Sequence, residues 1–269
     1  MNATIYTHEL RARLRSVLVL SLAVASLVLF YFSFFPVFAD QAALMNEMMA
    51  RFPPQMRAAF GLEKMDLSTV LGFLSFVFLF VQLCLAIQAS NYGFGLVSIE
   101  ENELTADFLL SKPVSRGQVL TSKLLAALTS LVLTDLIVWA SCLVAVTFLR
   151  GGRSYDPTTL RLLLLSLLPF QLFFLGVGLL ISLLVKRVRN VTPYALGLAF
   201  GAYVLSAFSG IFGDVKLEMI TPFKHFDPTA IVQQAALNMP LVLLNVAVML
   251  VAVIASYWLY IHRDIHAVS

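Results

Sequence analysis

Charged side chains are scarce in this sequence of 269 residues, since Asp, Glu, Lys and Arg together make up only 12% of it. Soluble domains carry about 25% charged residues, so the composition excludes an ordinary soluble protein. Cysteine is rarer still: Cys84 and Cys142 lie in apolar runs, which indicates buried thiols rather than a disulfide framework. The net charge of +3 does not indicate nucleic-acid binding, because basic residues at the cytosolic ends of membrane spans give such values.

Motifs that carry enzymatic chemistry are also missing from the sequence. It contains no phosphate-binding Gly-x-x-x-x-Gly-Lys-Ser/Thr loop, no His-Glu-x-x-His zinc motif and no Gly-x-Ser-x-Gly nucleophile motif. Its four histidines lie in non-membrane segments and form no metal-ligand pattern. We therefore expect that the chain is not an enzyme and binds no cofactor itself, so that any active transport draws its energy from a partner.

Long hydrophobic runs are what the sequence does contain. Apolar residues make up 60% of the chain and the mean hydropathy is +0.90, whereas soluble domains are about 45–50% apolar. Runs of roughly 20 apolar residues cross a bilayer, and in lipid they must be helices because every backbone polar group needs a partner. We predict an all-α integral membrane protein with a single transmembrane domain over 1–269. Its six spans are expected at about 17–39, 67–89, 119–149, 160–185, 191–212 and 240–261.

The distribution of basic residues predicts the orientation. An even number of spans places both termini on one side, and short cytosolic loops carry an excess of Lys and Arg. Arg11, Arg13 and Arg15 directly precede the first span, and Lys186-Arg187-Val188-Arg189 fills a very short loop. We expect both termini in the cytosol and the chain in the plasma membrane. Residues 5–15 carry apolar side chains on one face, which predicts an N-terminal helix at the membrane interface.

The stretch from Ser98 to Gln118, SIEENELTADFLLSKPVSRGQ, differs from the apolar sequence around it. Four acids fall within eight residues, and Pro113 ends any helix at or before the preceding residue. Acids favour the beginning of a helix through its dipole, and Val97, Leu104 and Phe108 would share an apolar stripe. The pattern predicts either a short cytosolic helix that docks in a groove of a soluble protein or an ordinary solvated loop.

This stretch resembles the cytosolic segment of ABC transporter type-2 permeases. In that family a Glu-rich start, a Thr, a Leu-Leu-Ser and a Pro-Val-Ser-Arg lead through a Lys into the third span. The outer loop Phe52–Leu62 and the segment Thr221–Pro228 are similar to two further elements of these permeases, so the resemblance covers nearly the whole chain. The matching residues of the cytosolic segment are Glu100-Glu101, Thr105, Leu109-Leu110-Ser111, Pro113-Val114-Ser115-Arg116 and Lys123.

The resemblance implies that six spans form one transmembrane half and that two halves join two ATPase subunits. The second half would be another copy of this chain or a paralogue, and ATP and Mg²⁺ would be bound by the ATPase. It further implies that residues of about 98–112 form the coupling helix, which enters a cleft on the ATPase. Leu104 stands where the family usually has glycine, and leucine favours an unbroken helix. The expected docking residues are Glu100, Glu101, Glu103, Leu104, Thr105, Asp107, Phe108 and Leu109.

Asp135 lies near the middle of the third span, where a charge costs at least about 2.5–3.5 kcal/mol. One interpretation is a contact with a transported ion or substrate. The other, which we prefer, is a carboxyl group at a water-filled cavity, or one bonded in protonated form to a neighbouring helix. Gln82, Gln88, Gln171 and Asn245 are predicted to form hydrogen bonds between helices.

Small residues form a stripe along the fifth span, and Pro169 is expected to kink the fourth span. The resemblance implies that the stripe lines a dimer interface. Packing within the chain would leave the same pattern, so both interpretations stay open at this point. The stripe consists of Gly197, Gly201, Ser206 and Gly210.

Together these features predict the permease subunit of an ATP-driven exporter, whose substrate the sequence does not identify. An ion-coupled secondary transporter that uses Asp135 is one alternative, although the acidic cytosolic helix argues against it. A membrane scaffold or sensor that recruits a soluble partner through the same helix, without transport, is the other alternative.

Overall fold

The computed structural model describes residues 2–59, 65–103, 114–185, 188–212 and 215–262 of the chain. The residues that it describes form helices and contain no strand. In chain order the helices are α1 Ala3–Ser33, α2 Phe35–Asp40, α3 Ala42–Ala50, α4 Pro54–Ala59, α5 Val70–Glu103, α6 Arg116–Leu149, α7 Pro157–Leu165, α8 Leu167–Leu184, α9 Val191–Phe212, α10 Val215–Glu218, α11 Pro222–His225, α12 Pro228–Gln234 and α13 Met239–His262.

Six helical segments within the described ranges are long and apolar enough to cross a membrane. The predicted class, an all-α integral membrane protein with six spans, is therefore confirmed. The six spans, numbered here in chain order, are Ala3–Asp40, Val70–Ser98, Arg116–Leu149, Pro157–Leu184, Val191–Ser209 and Met239–His262.

The third span begins at Arg116, before the predicted start at 119, because Ser115 caps its helix. The Ser115 Oγ accepts a hydrogen bond from the Gln118 N–H at 3.3 Å, and the Gln118 Oε1 accepts one from the Ser115 N–H at 3.4 Å. Such a capping box satisfies two backbone donors at once. The Pro-Val-Ser-Arg motif therefore contains the beginning of the third span.

The second span begins at Val70, later than the predicted start at 67, because the preceding residues form a polar turn. The Asp66 carboxylate accepts a hydrogen bond from the Ser68 N–H at 3.0 Å, and the Thr69 Oγ1 accepts one from the Gly72 N–H at 3.1 Å. These side-chain acceptors satisfy backbone donors that have no partner in the first helical turn.

The fourth span is interrupted by Pro169, as predicted. Helix α7 ends at Leu165 and α8 begins at Leu167. A proline has no N–H to donate, and its ring clashes with the carbonyl group four residues earlier, here that of Leu165. The break at Ser166 falls at this clash, and the Ser166 hydroxyl donates to the Leu163 carbonyl at 2.7 Å.

Residues 5–15 do not form a helix of their own, because α1 runs without a break through this segment and the first span. Helix α1 packs lengthwise against α6. The Asn2 N–H donates to the Ser122 Oγ at 2.8 Å, and the Tyr6 hydroxyl lies 3.0 Å from the Thr129 Oγ1. The N-terminal part of α1 therefore packs on the beginning of the third span, and its location at a membrane interface stays a prediction.

Helices α5 and α8 pack closely against each other through two glycines. A Cβ added at Gly93 would lie 2.4 Å from the Leu175 carbonyl oxygen, and one added at Gly178 would lie 3.2 Å from the Ser90 carbonyl oxygen. Small residues allow helix backbones to approach this closely. Helix α13 packs on α8, and α9 packs on α5.

The fifth span is the least enclosed part of the bundle. Only 11% of its most apolar stretch is buried within the chain, against 61% for the second span. Most of its side chains therefore face the surroundings of the chain, which in a membrane are lipid or another protein.

His225 anchors the segment between the fifth and sixth spans. Its side chain is 2% exposed, and its Nε2–H donates to the Met219 carbonyl at 3.1 Å. The Asn245 amide donates to the His225 Nδ1 at 3.4 Å, which realises the interhelical bond predicted for Asn245. Burial lowers the pKa of His225 below its ordinary value and outweighs the opposing backbone hydrogen bonds, so the imidazole is neutral at pH 7.

Candidate functional site

The segment predicted to couple to an ATPase follows directly on the second span. The structure describes residues 98–103 as a continuation of α5, so Glu100, Glu101 and Glu103 lie in a helix that begins at Val70. The helix N-terminus that the sequence suggested for these acids is therefore not present there. The docking role of the acidic segment stays a prediction. Outside the described residues lie Leu104, Thr105, Asp107, Phe108 and Leu109.

The helical turn before this segment is buried and bound by a lysine. Val97, expected to begin an apolar docking stripe, is 5% exposed and belongs to the hydrophobic core, so an exposed stripe does not begin there. Lys123 is 3% exposed, and its Nζ donates to the Leu96 carbonyl at 2.7 Å. This charge-assisted bond joins the third span to the end of the second.

Glu9 supplies a carboxylate to the same lysine. The Lys123 Nζ lies 3.7 Å from the Glu9 Oε1, and the Arg13 Nη2 donates to the Glu9 Oε2 at 2.9 Å. The Arg13 guanidinium also lies 5.1 Å from the centre of the Tyr92 ring, within the range of a cation–π contact. Buried cations are costly unless they are paired, and these contacts pair both. We call Glu9, Arg13, Tyr92 and Lys123 the ion cluster, which joins α1, α5 and α6.

Polar side chains continue from the ion cluster along the second span. The Gln88 Nε2 donates to the Thr134 Oγ1 at 2.9 Å and to the Tyr92 hydroxyl at 3.2 Å. The Gln82 Nε2 donates to the Phe226 carbonyl at 2.8 Å. The bond from Gln88 to the third span is of the predicted interhelical kind, whereas Gln82 bonds the segment that precedes the sixth span.

Asp135 lies next to Thr134 and faces the fourth span. The side chain is 4% exposed, and its Oδ1 accepts a hydrogen bond from the Gln171 Nε2 at 2.9 Å. Its Oδ2 is buried and has no hydrogen-bond partner among the described residues. This geometry agrees with a carboxyl group bonded to a neighbouring helix. A contact between Asp135 and a transported ion or substrate stays a prediction.

The predicted small-residue stripe of the fifth span is exposed at its two glycines, Gly197 and Gly201. A Cβ added at Gly197 or Gly201 would meet no atom of the described residues within 4 Å. Contacts with the described residues therefore do not account for these glycines. Ser206 is half-buried and lines a cavity of about 30 Å³. The burial of Gly210 is not among the features that the structure describes.

Polar contacts between the third and sixth spans were not expected from the sequence. The Thr121 Oγ1 lies 2.8 Å from the Tyr257 hydroxyl, and the Arg116 Nη1 donates to the Tyr260 carbonyl at 3.5 Å. The ion cluster was not expected either. The polar residues at 121–123 could have indicated that such contacts exist. They do not show which residues, more than a hundred positions away in the sequence, are the partners.

The fold and the site define a class: a membrane protein whose first, second, third and sixth spans are joined near one end by polar contacts. Residues 3–265 match the family described as ABC-2 family transporter protein. Because the match covers nearly the whole chain, the protein belongs to the ABC-2 family, and the family resemblance inferred from the sequence is confirmed. It is an ABC transporter permease, the transmembrane part of a transport system. No curated protein matches the sequence.

Proposed function

We propose that this chain is the permease subunit of an ATP-driven exporter. Two permease halves, formed by two copies of the chain or by this chain and a paralogue, pair with two separate ABC ATPase subunits. The observation that carries the proposal is the ABC-2 family match over residues 3–265. ATP and Mg²⁺ belong to the ATPase, while this chain forms the path through the plasma membrane, with both termini in the cytosol.

Residues of about 98–112 receive the movement of the ATPase in this proposal. Helix α5 contains 34 residues and is one continuous helix, so it is about 50 Å long at 1.5 Å per residue. A push on its end reaches the membrane interior because the helix moves as a rod. Closure of the ATPases on ATP would thus tilt the two halves between inward-facing and outward-facing states.

The outward-facing glycines of the fifth span support pairing of two permease halves. Transmembrane helices associate where small residues let their backbones approach closely. Gly197 and Gly201 offer such a surface, and no side chain of the described residues covers it. The second half of the transporter is therefore proposed to pack against this face.

Copurification with an ATPase tests the docking role. Leu104→Asp combined with Phe108→Asp should abolish copurification, because two carboxylates would have to enter an apolar groove. The matched control is Thr4→Asp with His8→Asp, which has the same spacing on the exposed surface of α1. Retained binding by the first double variant would remove the coupling-helix assignment, and so would equal loss in both.

The two alternatives gain no specific support. An ion-coupled transporter would work without an ATPase, whereas ABC-2 membership favours an ATP-driven system. A scaffold would bind the ATPase but move nothing across a vesicle membrane when ATP is supplied, which separates it from a transporter.

A further inference from the structure

The beginning of the third span contacts the ends of three other helices within about two turns. It reaches the beginning of α1, the end of the second span in α5 and the end of α13. The contacts join Ser122 to Asn2 at 2.8 Å, Lys123 to the Leu96 carbonyl at 2.7 Å and to Glu9 at 3.7 Å, Thr121 to Tyr257 at 2.8 Å, and Arg116 to the Tyr260 carbonyl at 3.5 Å.

Packing alone does not require a lysine at position 123. An apolar side chain of the same length would fill the space without the desolvation cost of a buried ammonium group. The ammonium is held by the Leu96 carbonyl in α5 and by the Glu9 carboxylate in α1. It therefore connects α1 and α5 from a third helix, α6.

Leu96 lies two residues before the predicted coupling segment begins at 98. On another face of the same helix, Gly93 packs against the backbone of α8. Because α5 is one helix up to Glu103, movement of the coupling segment carries Leu96 with it. Lys123 must then follow Leu96 unless the buried charge-assisted bond between them breaks. Closely packed elements of this kind move between discrete arrangements rather than deforming continuously.

We propose that the beginning of the third span, Ser115–Lys123, is a transmission hub that passes movement of the coupling segment to the N-terminal part of α1 and to the end of α13. Lys123 is the positioning residue of the branch to α1. Arg116 and Thr121 serve the branch to α13, which receives the movement through the chain itself and not through Lys123, because α6 begins at Arg116, four residues after the predicted coupling segment ends at 112. This inference rests on the proposed function, since it requires that an ATPase moves the coupling segment.

Three fluorescent reporters separate the steps of this transmission. A polar maleimide dye is attached to Ser111→Cys in the predicted coupling segment, to Thr7→Cys on the exposed face of α1, or to Ile261→Cys near the end of α13. The complex of full-length chain and copurified ATPase is placed in nanodiscs. The emission change on adding ATP and vanadate is measured at each position. The chain without an introduced cysteine, treated with the same dye, serves as the blank for labelling of Cys84 and Cys142.

The unsubstituted complex should respond at all three positions. Lys123→Met keeps the length of the side chain but removes its charge, so we expect loss of the response at Thr7 and retained responses at Ser111 and Ile261. Glu9→Gln is a milder variant of nearly the same shape, and it should reduce the response at Thr7 alone. Tyr257→Phe is the control on the other branch and should leave the response at Thr7 unchanged.

Retained responses at Ser111 and Ile261 also show that a variant is folded and coupled to its ATPase. An unchanged response at Thr7 in both Lys123→Met and Glu9→Gln overturns the hub. Loss at all three positions in Glu9→Gln also overturns it, because that pattern is general unfolding. No response at Ser111 in the unsubstituted complex contradicts the proposed function itself, and the inference falls with it.

Discussion

Replacing Gly93 by alanine should destabilise the bundle. The new methyl group would lie 2.4 Å from the Leu175 carbonyl oxygen and 3.0 Å from the Leu179 backbone nitrogen. Close carbon–oxygen contacts between packed helices are about 3.3–3.6 Å long, so α5 and α8 must separate locally by about 1 Å. The obstacle is backbone, which cannot turn away as a flexible side chain would.

The size of this effect follows from two opposing contributions. Overpacking of a well-packed core costs about 1–3 kcal/mol. Alanine is a better helix former than glycine by up to about 1 kcal/mol, which offsets part of that cost. We expect the free energy of unfolding to fall by about 1–2 kcal/mol, which lowers Tm by about 2–8 °C.

Thermal unfolding of the monomeric chain in detergent, followed by circular dichroism, measures this effect. Gly197→Ala is the matched control, because the same substitution in α9 meets no described atom within 4 Å. Its Tm should stay the same or rise through better helix propensity. Equal decreases in the two variants would refute the packing explanation, and so would an unchanged Tm in Gly93→Ala.

Three further predictions concern other parts of the chain. Gly201→Leu adds a large side chain to a face that is open within the chain, so analytical ultracentrifugation should show weaker dimers while the Tm of the monomer is unchanged; a less stable monomer would contradict the open face. Because burial lowers the pKa of His225, the unfolded chain binds a proton that the folded chain does not as the pH falls below about 6.5. Tm should therefore decrease from about pH 7.5 to about pH 5.5, and this decrease should be smaller in His225→Gln; an equal decrease in both would argue against a neutral buried imidazole. Asp135→Asn keeps an acceptor for Gln171 and should change the free energy of unfolding by less than about 1 kcal/mol, whereas Asp135→Leu leaves a buried amide unpaired and should cost about 1–3 kcal/mol. Unchanged transport by Asp135→Asn at normal expression would exclude a direct contact of the charge with the substrate.

Local sequence was sufficient for the class of protein and the number of spans. A run of apolar residues long enough to cross a bilayer must be a helix, whatever its neighbours are. The break near Pro169 could be predicted for the same reason, since proline acts on its own helix. The helix of the third span begins at Arg116, before the predicted start at about 119, because its capping box, Ser115 with Gln118, lies in a polar stretch outside the apolar run.

The ion cluster could not be predicted in the same way. Arg13 belongs to the segment predicted as an interfacial helix, yet its guanidinium lies 5.1 Å from the centre of the Tyr92 ring and pairs with Glu9. Periodicity shows which residues share a face of one helix, but not which helix covers that face. Only the packing of α1 along α6 brings Glu9 to Lys123.

Glycine shows most directly what sequence determined here and what it left to the tertiary structure. Small residues in the fifth span indicated close helix contacts, whereas the close contact at Gly93 was not expected from the sequence. The fold buries Gly93 against the backbone of α8, whereas it leaves Gly197 exposed. The two residues are chemically identical, so their difference lies in which helices pack together, and that depends on contacts between residues far apart in the chain.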